Sequence, residues 1–194
     1  MEVSQDNIKL ARFLAGAIGF EPNVYPYYDD GESHQIDILS LKDPIDELVG
    51  IYSSIGLSDY ENLVAVSDGK NNIPIELMMT AYTRFESATN ILSTCCFYII
   101  KDKFECRPGA VFMRMVEFYI KDSPMKHIYF TSPFLWQEKL DQLHLDSKHV
   151  AFLLCIPISD RELQYKLEHG DDALESLFQD NEINIYDLYR ESVL

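Results

Sequence analysis

A serine, a histidine and an aspartate could in principle form a hydrolytic site in this chain. Ser58 and Asp59 lie two and three residues after Gly56, and His127 lies far along the sequence. A Ser-His-Asp triad uses such residues as nucleophile, base and orienting group. The chain has no Gly-x-Ser-x-Gly elbow, however. The alternative interpretation is a structural turn, in which Gly56 adopts a φ angle that only glycine tolerates while Ser58 and Asp59 hydrogen-bond the turn backbone.

The spacing of potential ligands does not indicate a metal or phosphate site. His144 and His149 are five residues apart, whereas a helical zinc pair has a spacing of four. The cysteines form no Cys-x-x-Cys pair, so we expect free thiols in a reduced compartment. Neither a Gly-x-Gly-x-x-Gly run nor a Walker loop is present, and we therefore expect no metal and no cofactor. The four cysteines are Cys95, Cys96, Cys106 and Cys155.

Two pairs of adjacent aspartates could perform acid–base chemistry only if they were partly buried beside a cleft. Asp29-Asp30 precedes Gly31 and indicates a solvated turn, whereas Asp171-Asp172 begins a short helix. Both pairs would then be exposed and available to a cationic partner. We predict no catalytic residues, and a partner-binding surface that includes acidic side chains. Its candidate residues are Asp29, Asp30, Asp171, Asp172 and Glu175.

The charge of the chain favours a basic protein as the partner, although solubility alone could also explain it. The formal net charge is −16 at pH 7, and residues 159–194 hold 10 acidic and 3 basic side chains. Such a chain repels nucleic acid and anionic membranes, so we expect direct binding to neither. No apolar run approaches the ~18 residues of a membrane helix, and the N-terminus resembles no secretory signal. We therefore predict a cytoplasmic protein, with its oligomeric state left open.

The pattern of apolar residues predicts a single α+β domain over residues 1–194. Helical spacing predicts helices at 6–18, capped by Asp6, and at 84–100. Ser159 and Glu162 fit a capping box that begins a third helix, and Asp171 would cap a fourth. The elements are interleaved without βαβ alternation. This order indicates a mixed, largely antiparallel sheet flanked by helices.

Two of the predicted strands have definite positions in this sheet. The run 24–28 contains Pro26 and should be an edge strand. The run 150–158 is nearly all apolar and should be a central strand covered on both faces. Asp68-Gly69 predicts a hairpin turn between two others. The full set of predicted strands is 24–28, 35–41, 48–53, 63–66, 73–79, 110–115, 116–120, 127–130 and 150–158.

Several separate segments together resemble one known family. In chain order they are Ile55-Gly56-Leu57-Ser58-Asp59-Tyr60, Glu76-Leu77-Met78-Met79, Pro108-Gly109, His127-Ile128-Tyr129-Phe130, Pro133-Phe134-Leu135-Trp136, and Phe152 to Ser159 with Glu162, Tyr165, His169-Gly170 and Ala173-Leu174 beyond it. Their order and spacing resemble the suppressor-of-fused-like family over residues 25–178. The aromatic residues in these segments would be core or interface anchors.

The resemblance implies a mixed α+β fold without catalysis. Bacterial single-domain members of this family look like immunity proteins, or antitoxins, of polymorphic toxin systems. Such a protein binds the effector domain of a cognate toxin, often a nuclease, and neutralises it by direct contact. The resemblance implies a toxin of the LXG type for this chain. Two other hypotheses stay open at this point. One is a peptide-binding or regulatory module that accepts a strand at 24–28, and the other is a hydrolase that uses Ser58 or His127.

Overall fold

The computed structural model describes residues 4–19, 21–136, 139–140 and 142–194. Its strands are β1 (Asn23–Tyr28), β2 (Gln35–Lys42), β3 (Val49–Ile55), β4 (Leu63–Val66), β5 (Gly69–Asn72), β6 (Ile75–Tyr82), β7 (Val111–Phe112), β8 (Met125–Thr131), β9 (Gln142–His144) and β10 (His149–Ser159). Eight of them form one sheet in the order β1-β2-β3-β6-β10-β8-β7, with β9 also paired to β10. Among these pairings only that of β6 with β10 is parallel. The predicted mixed, largely antiparallel sheet is therefore confirmed.

Helices cover both faces of this sheet, and two of the five described helices begin at a side-chain cap. The five helices are α1 (Gln5–Ile18), α2 (Ala88–Asp102), α3 (Met115–Tyr119), α4 (Asp160–His169) and α5 (Asp171–Asp180). The capping box at Ser159 and Glu162 is confirmed. The cap of α1 is Ser4, whose hydroxyl accepts from the Asn7 N–H, and the prediction of Asp6 as cap is wrong. The prediction that Asp171 caps the last helix is also wrong, because the capping position is Gly170. No helix within the described residues is long and apolar enough to cross a membrane.

Two hydrophobic cores lie on opposite faces of the sheet, because successive strand residues point to opposite sides. On β10, for example, Leu153 and Cys155 face one core while Phe152 and Leu154 face the other. Helices α2 and α3 pack on the first face, and α1 and α5 on the second. Burying each large apolar side chain contributes about 1.5–3 kcal/mol, so a strand covered on both faces is strongly held. The prediction that 150–158 is central and doubly covered is thus confirmed.

Two of the strand predictions are wrong in the region around α3. Residues 116–120 were expected to form a strand, but α3 occupies most of this range, and the expected strand at 110–115 is reduced to the two residues of β7. Aromatic and β-branched residues favour strands locally, and tertiary contacts override that preference here. Asp68-Gly69 does form a hairpin, but it pairs β4 with an additional short strand, β5. All four cysteines are buried and free, as expected.

Candidate protein-binding site

The turn that follows β3 is built around the carboxylate of Glu76. Glu76 lies on β6 with none of its surface exposed. Its oxygens accept from the hydroxyls of Ser54 at 2.5 Å and Ser58 at 2.7 Å. They also accept from three consecutive backbone N–H groups, those of Gly56, Leu57 and Ser58. Gly56 has a φ of +95°, so the predicted glycine-only backbone is confirmed.

These contacts assign the Ser58 segment a structural role. The Ser58 hydroxyl donates to Glu76 and not to the turn backbone, and Asp59 instead contacts Asn7 and forms an ion pair with Lys148. Burial raises the pKa of Glu76 to about 7, although the hydrogen bonds from the two serines act to lower it. The sequence analysis placed Glu76 in one of the family segments but did not predict that it anchors this turn. The available signal was a single acidic residue in an otherwise apolar strand, which must find partners when buried.

His127 is occupied by contacts that have no connection to Ser58. Its Nδ1 accepts from the backbone N–H of Arg114 at 2.8 Å, and its Nε2 lies 2.9 Å from Oδ1 of Asp160. Both ring nitrogens are therefore engaged, and the side chain is buried. Arg114 precedes α3 with a φ of +61°, so His127 holds the start of that helix. The contacts of the described residues do not assemble the Ser58, Asp59 and His127 triad that the sequence allowed.

Asp29 is an internal group and not a surface carboxylate. Only 7% of the residue is exposed. Its carboxylate accepts from the backbone N–H groups of Ser33 at 2.7 Å and His34 at 3.0 Å, and Lys101 lies 3.2 Å away. These interactions, led by the hydrogen bond from His34, hold the pKa of Asp29 well below its usual range. The expectation that Asp29 is exposed is wrong, because its side chain closes the turn that Asp29-Asp30-Gly31 was correctly predicted to form.

Asp30 is exposed and lines a groove of about 650 Å³ between β1, α2 and α3, which we call the aromatic groove. Lys101 and Arg114 also line it, and they pair with Asp29 and Glu117. Exposed aromatic and methionine side chains are typical of protein interfaces. The large exposed side chains of the aromatic groove are Tyr28, Tyr98, Met113 and Phe118.

The three acidic residues predicted on α5 lie on the other face of the sheet. Asp172 is exposed, and Asp171 is half-buried and lies 3.2 Å from Lys166. The Oε1 atom of Glu175 accepts from the hydroxyls of Tyr129 at 2.8 Å and Thr131 at 2.6 Å. The five predicted residues therefore do not form one surface. Asp29 and Asp30 line the aromatic groove, whereas on α5 only Glu175 lines a second groove.

The second groove lies between α5, the end of β8 and the segment after α5, with a volume of about 690 Å³, and we call it the α5 groove. Phe134 and Leu135, which are 43% and 36% exposed, contribute apolar surface at its rim. Glu175 and Glu182 supply two carboxylates, and the described residues of its lining include no lysine, arginine or histidine. The aromatic run 125–136 is thus divided: its strand residues are core, and Phe134 and Leu135 face a groove.

Comparison with known families identifies the architecture. A family model described as Suppressor of fused protein (SUFU) matches residues 32–191. The chain belongs to the suppressor-of-fused family. It is also 40% identical over 198 residues to the immunity protein YqcF of Bacillus subtilis (strain 168), with both chains covered completely.

Solved structures of suppressor-of-fused proteins have the same fold. A homologue from Neisseria gonorrhoeae FA 1090 superimposes with a TM-score of 0.75 and 14% identity, covering 98% of each chain. Drosophila Suppressor of Fused matches with a TM-score of 0.65 and 13% identity, over 99% of this chain and 54% of that one. A chain of the Sufu–Fu complex also matches with a TM-score of 0.65 and 13% identity, over 96% of this chain and 91% of that one. At these identities the likeness shows the fold alone.

Two pairs of the suppressor-of-fused sequence blocks are in contact in this chain. Glu76, from the second block, anchors the turn that forms the first. Gly109, from the third block, donates its backbone N–H to the carbonyl of Phe130, in the fourth block, at 2.8 Å. It adopts a φ of +83°, and a Cβ atom built on it would clash with the carboxylate of Asp171. Glycine suits this left-handed backbone, and any larger residue would also require the Asp171 side chain to move. The family pattern therefore marks residues that hold the scaffold together.

Proposed function

We propose that this suppressor-of-fused domain is an immunity protein that binds the effector domain of a cognate toxin and neutralises it by direct contact. The observation that carries the proposal is the 40% identity to an immunity protein over the whole of both chains. The proposed target is the C-terminal domain of an LXG-type toxin with nuclease activity. The mechanism needs no catalytic step by this chain, because covering the toxin's active site or its nucleic-acid surface is sufficient.

Charge complementarity supplies the physical basis for recognition. A nuclease must attract a polyanion, so its active surface is basic, and a chain with a net charge of −16 attracts that surface. Complementary charges raise the association rate and suppress wrong partners. In this proposal Asp171, Asp172 and Glu175 on α5 face the toxin. Asp30 lies beside the aromatic groove on the opposite face of the sheet and adds only long-range attraction, while Asp29 fixes the loop that carries Asp30.

The test is co-expression of this chain with the effector domain encoded beside its gene. We expect growth to be restored and a stable complex to elute from a sizing column. Binding should weaken steeply as salt is raised, because exposed charges are screened within about 8–10 Å at physiological ionic strength. Unchanged toxicity together with separate elution of the two proteins would remove the proposal.

A second candidate function is a module that binds extended peptides. The observation that favours it is that β1 is an edge of the sheet: it pairs only with β2 among the described strands, and most of its residues are exposed. An edge strand can accept a further strand from a partner. Capture of many unrelated extended peptides, without any interaction with the adjacent toxin, would favour this function over the first.

A further inference from the structure

We infer that the α5 groove is the site where the toxin docks, and that its occupant is a cationic, amphipathic segment of the effector domain. This inference rests on the proposed function and specifies which surface performs it. The groove combines apolar surface from Phe134, Leu135, Phe178 and Ile183 with two carboxylates, from Glu175 and Glu182. Its volume of about 690 Å³ is enough to hold several side chains of a partner segment.

The negative charge of the α5 groove favours a cationic partner segment. Glu175 and Glu182 form no ion pair with any residue in the part of the chain that the structure describes. The aromatic groove differs, because Lys101 and Arg114 line it and are themselves paired with carboxylates. The α5 groove thus presents two carboxylates that no cation among the described residues neutralises. Lysine or arginine side chains supply the missing charge, and their aliphatic stems suit the apolar surface between.

Glu175 is held in place before any partner arrives. Its Oε1 atom accepts from both Tyr129 and Thr131, while Oε2 accepts none of the hydrogen bonds found among the described residues. Tyr129 is fully buried. Burial, reinforced by the neighbouring Glu175, raises the pKa of the Tyr129 hydroxyl, which therefore remains a donor at physiological pH. A fixed carboxylate with one free oxygen binds a cation without the usual cost of ordering a flexible side chain.

Glu182 occupies a position where another residue would suit the fold better. Helix α5 ends with the Glu182 N–H bonded to the Gln179 carbonyl at 3.1 Å and the Ile183 N–H bonded to the Phe178 carbonyl at 3.2 Å. This is the Schellman pattern, in which glycine is the usual residue at the left-handed position. Glu182 has that left-handed backbone, with a φ of +46°. A glutamate here serves stability less well than glycine would, which is consistent with use of its carboxylate.

The experiment measures binding of the purified effector domain, encoded beside the gene, to four forms of the intact chain: wild type, Glu175→Gln, Glu182→Gly and the double variant. Glu175→Gln keeps an oxygen that accepts from Tyr129 and Thr131 but removes the charge. We expect Glu182→Gly to raise Tm by roughly 2–4 °C and still to weaken binding. The double variant should weaken binding about tenfold and reduce its salt dependence. Glu61→Gln, which removes one exposed charge outside the groove lining, should bind as wild type does.

The outcomes separate this inference from the function on which it rests. If the wild-type chain fails to bind the effector domain, the proposed function itself is overturned. If the wild type binds and neither the charge variants nor Phe134→Ser weakens binding, the immunity function stands and the docking site is wrong. If Phe134→Ser weakens binding while the charge variants do not, the occupant is apolar and the cationic segment is refuted.

Discussion

The buried carboxylate of Glu76 makes the stability of this domain depend on pH in an unusual direction. Replacing Glu76 by glutamine gives a side chain of the same shape that cannot titrate. Burial raises the pKa of Glu76 to about 7 in the folded chain, whereas the ordinary value is 4.5. A carboxyl group whose pKa is raised by folding stabilises the folded state below the unfolded pKa, and that contribution is lost as the pH rises through the folded pKa.

The expected size of the effect follows from the shift. Each pKa unit corresponds to 1.36 kcal/mol, so a rise from 4.5 to about 7 gives about 3 kcal/mol between pH 4.5 and pH 8. At low pH the glutamine variant should be less stable than wild type, because its amide N–H₂ group faces some of the N–H and O–H donors that bond to the Glu76 carboxylate. The difference in free energy of unfolding between wild type and variant should therefore be largest at low pH. It should shrink by about 3 kcal/mol by pH 8.

Urea denaturation followed by circular dichroism, at intervals from pH 4.5 to pH 8, measures this difference directly. Comparison with the variant cancels the titration of other carboxylates that both proteins share. Glu61→Gln removes an exposed carboxylate and should show no such trend. The reasoning is refuted if the difference grows with pH, since that slope would mean that the five hydrogen bonds outweigh burial and keep the group ionised.

Two further predictions concern contacts between distant parts of the chain. Arg190 forms a bidentate ion pair with the fully buried Glu162, at distances of 2.6 and 2.8 Å. Arg190→Met should therefore lower the free energy of unfolding, measured by urea denaturation, by about 3–5 kcal/mol, and a decrease below about 1 kcal/mol would contradict this. Gly109→Ala should cost more than Gly19→Ala, because both have positive φ but only a Cβ at position 109 meets the carboxylate of Asp171. Equal thermal shifts for the two alanine variants would contradict the proposed close approach.

Local spacing was enough to predict the elements that depend on local contacts. The capping box at Ser159 and Glu162 is set by a separation of three residues, and the apolar face of α2 by helical periodicity. The contact of Glu162 with Arg190 could not be predicted from local spacing. Arg190 follows it by 28 residues, and nothing in the intervening sequence indicates that the two meet.

Predictions were wrong where the local sequence is compatible with two structures, either a buried or an exposed side chain, or either a strand or a helix. Asp29 and Asp30 are adjacent aspartates that the same turn pattern describes. Asp29 nevertheless points inward and accepts hydrogen bonds from backbone N–H groups, whereas Asp30 is exposed. Residues 116–120 have the composition of a strand, and the hydrogen bond from Arg114 to His127 instead supports the start of a helix. In both cases the deciding partner comes from tertiary structure. Glu182, which the sequence did not single out, acquires its position only through the end of α5.

The single parallel pairing in the described sheet has a consequence for how this chain is made. β10 joins β6 to β8 at the centre of the sheet, yet it follows β6 in sequence by more than sixty residues. Contacts of such long range are slow to form, because the intervening loop must be closed before any stabilisation is gained. While the ribosome is still synthesising residues 83–148, β6 exposes an unpaired apolar edge that other chains can join. We therefore expect this domain to fold late in translation and to need protection from aggregation until β10 has emerged.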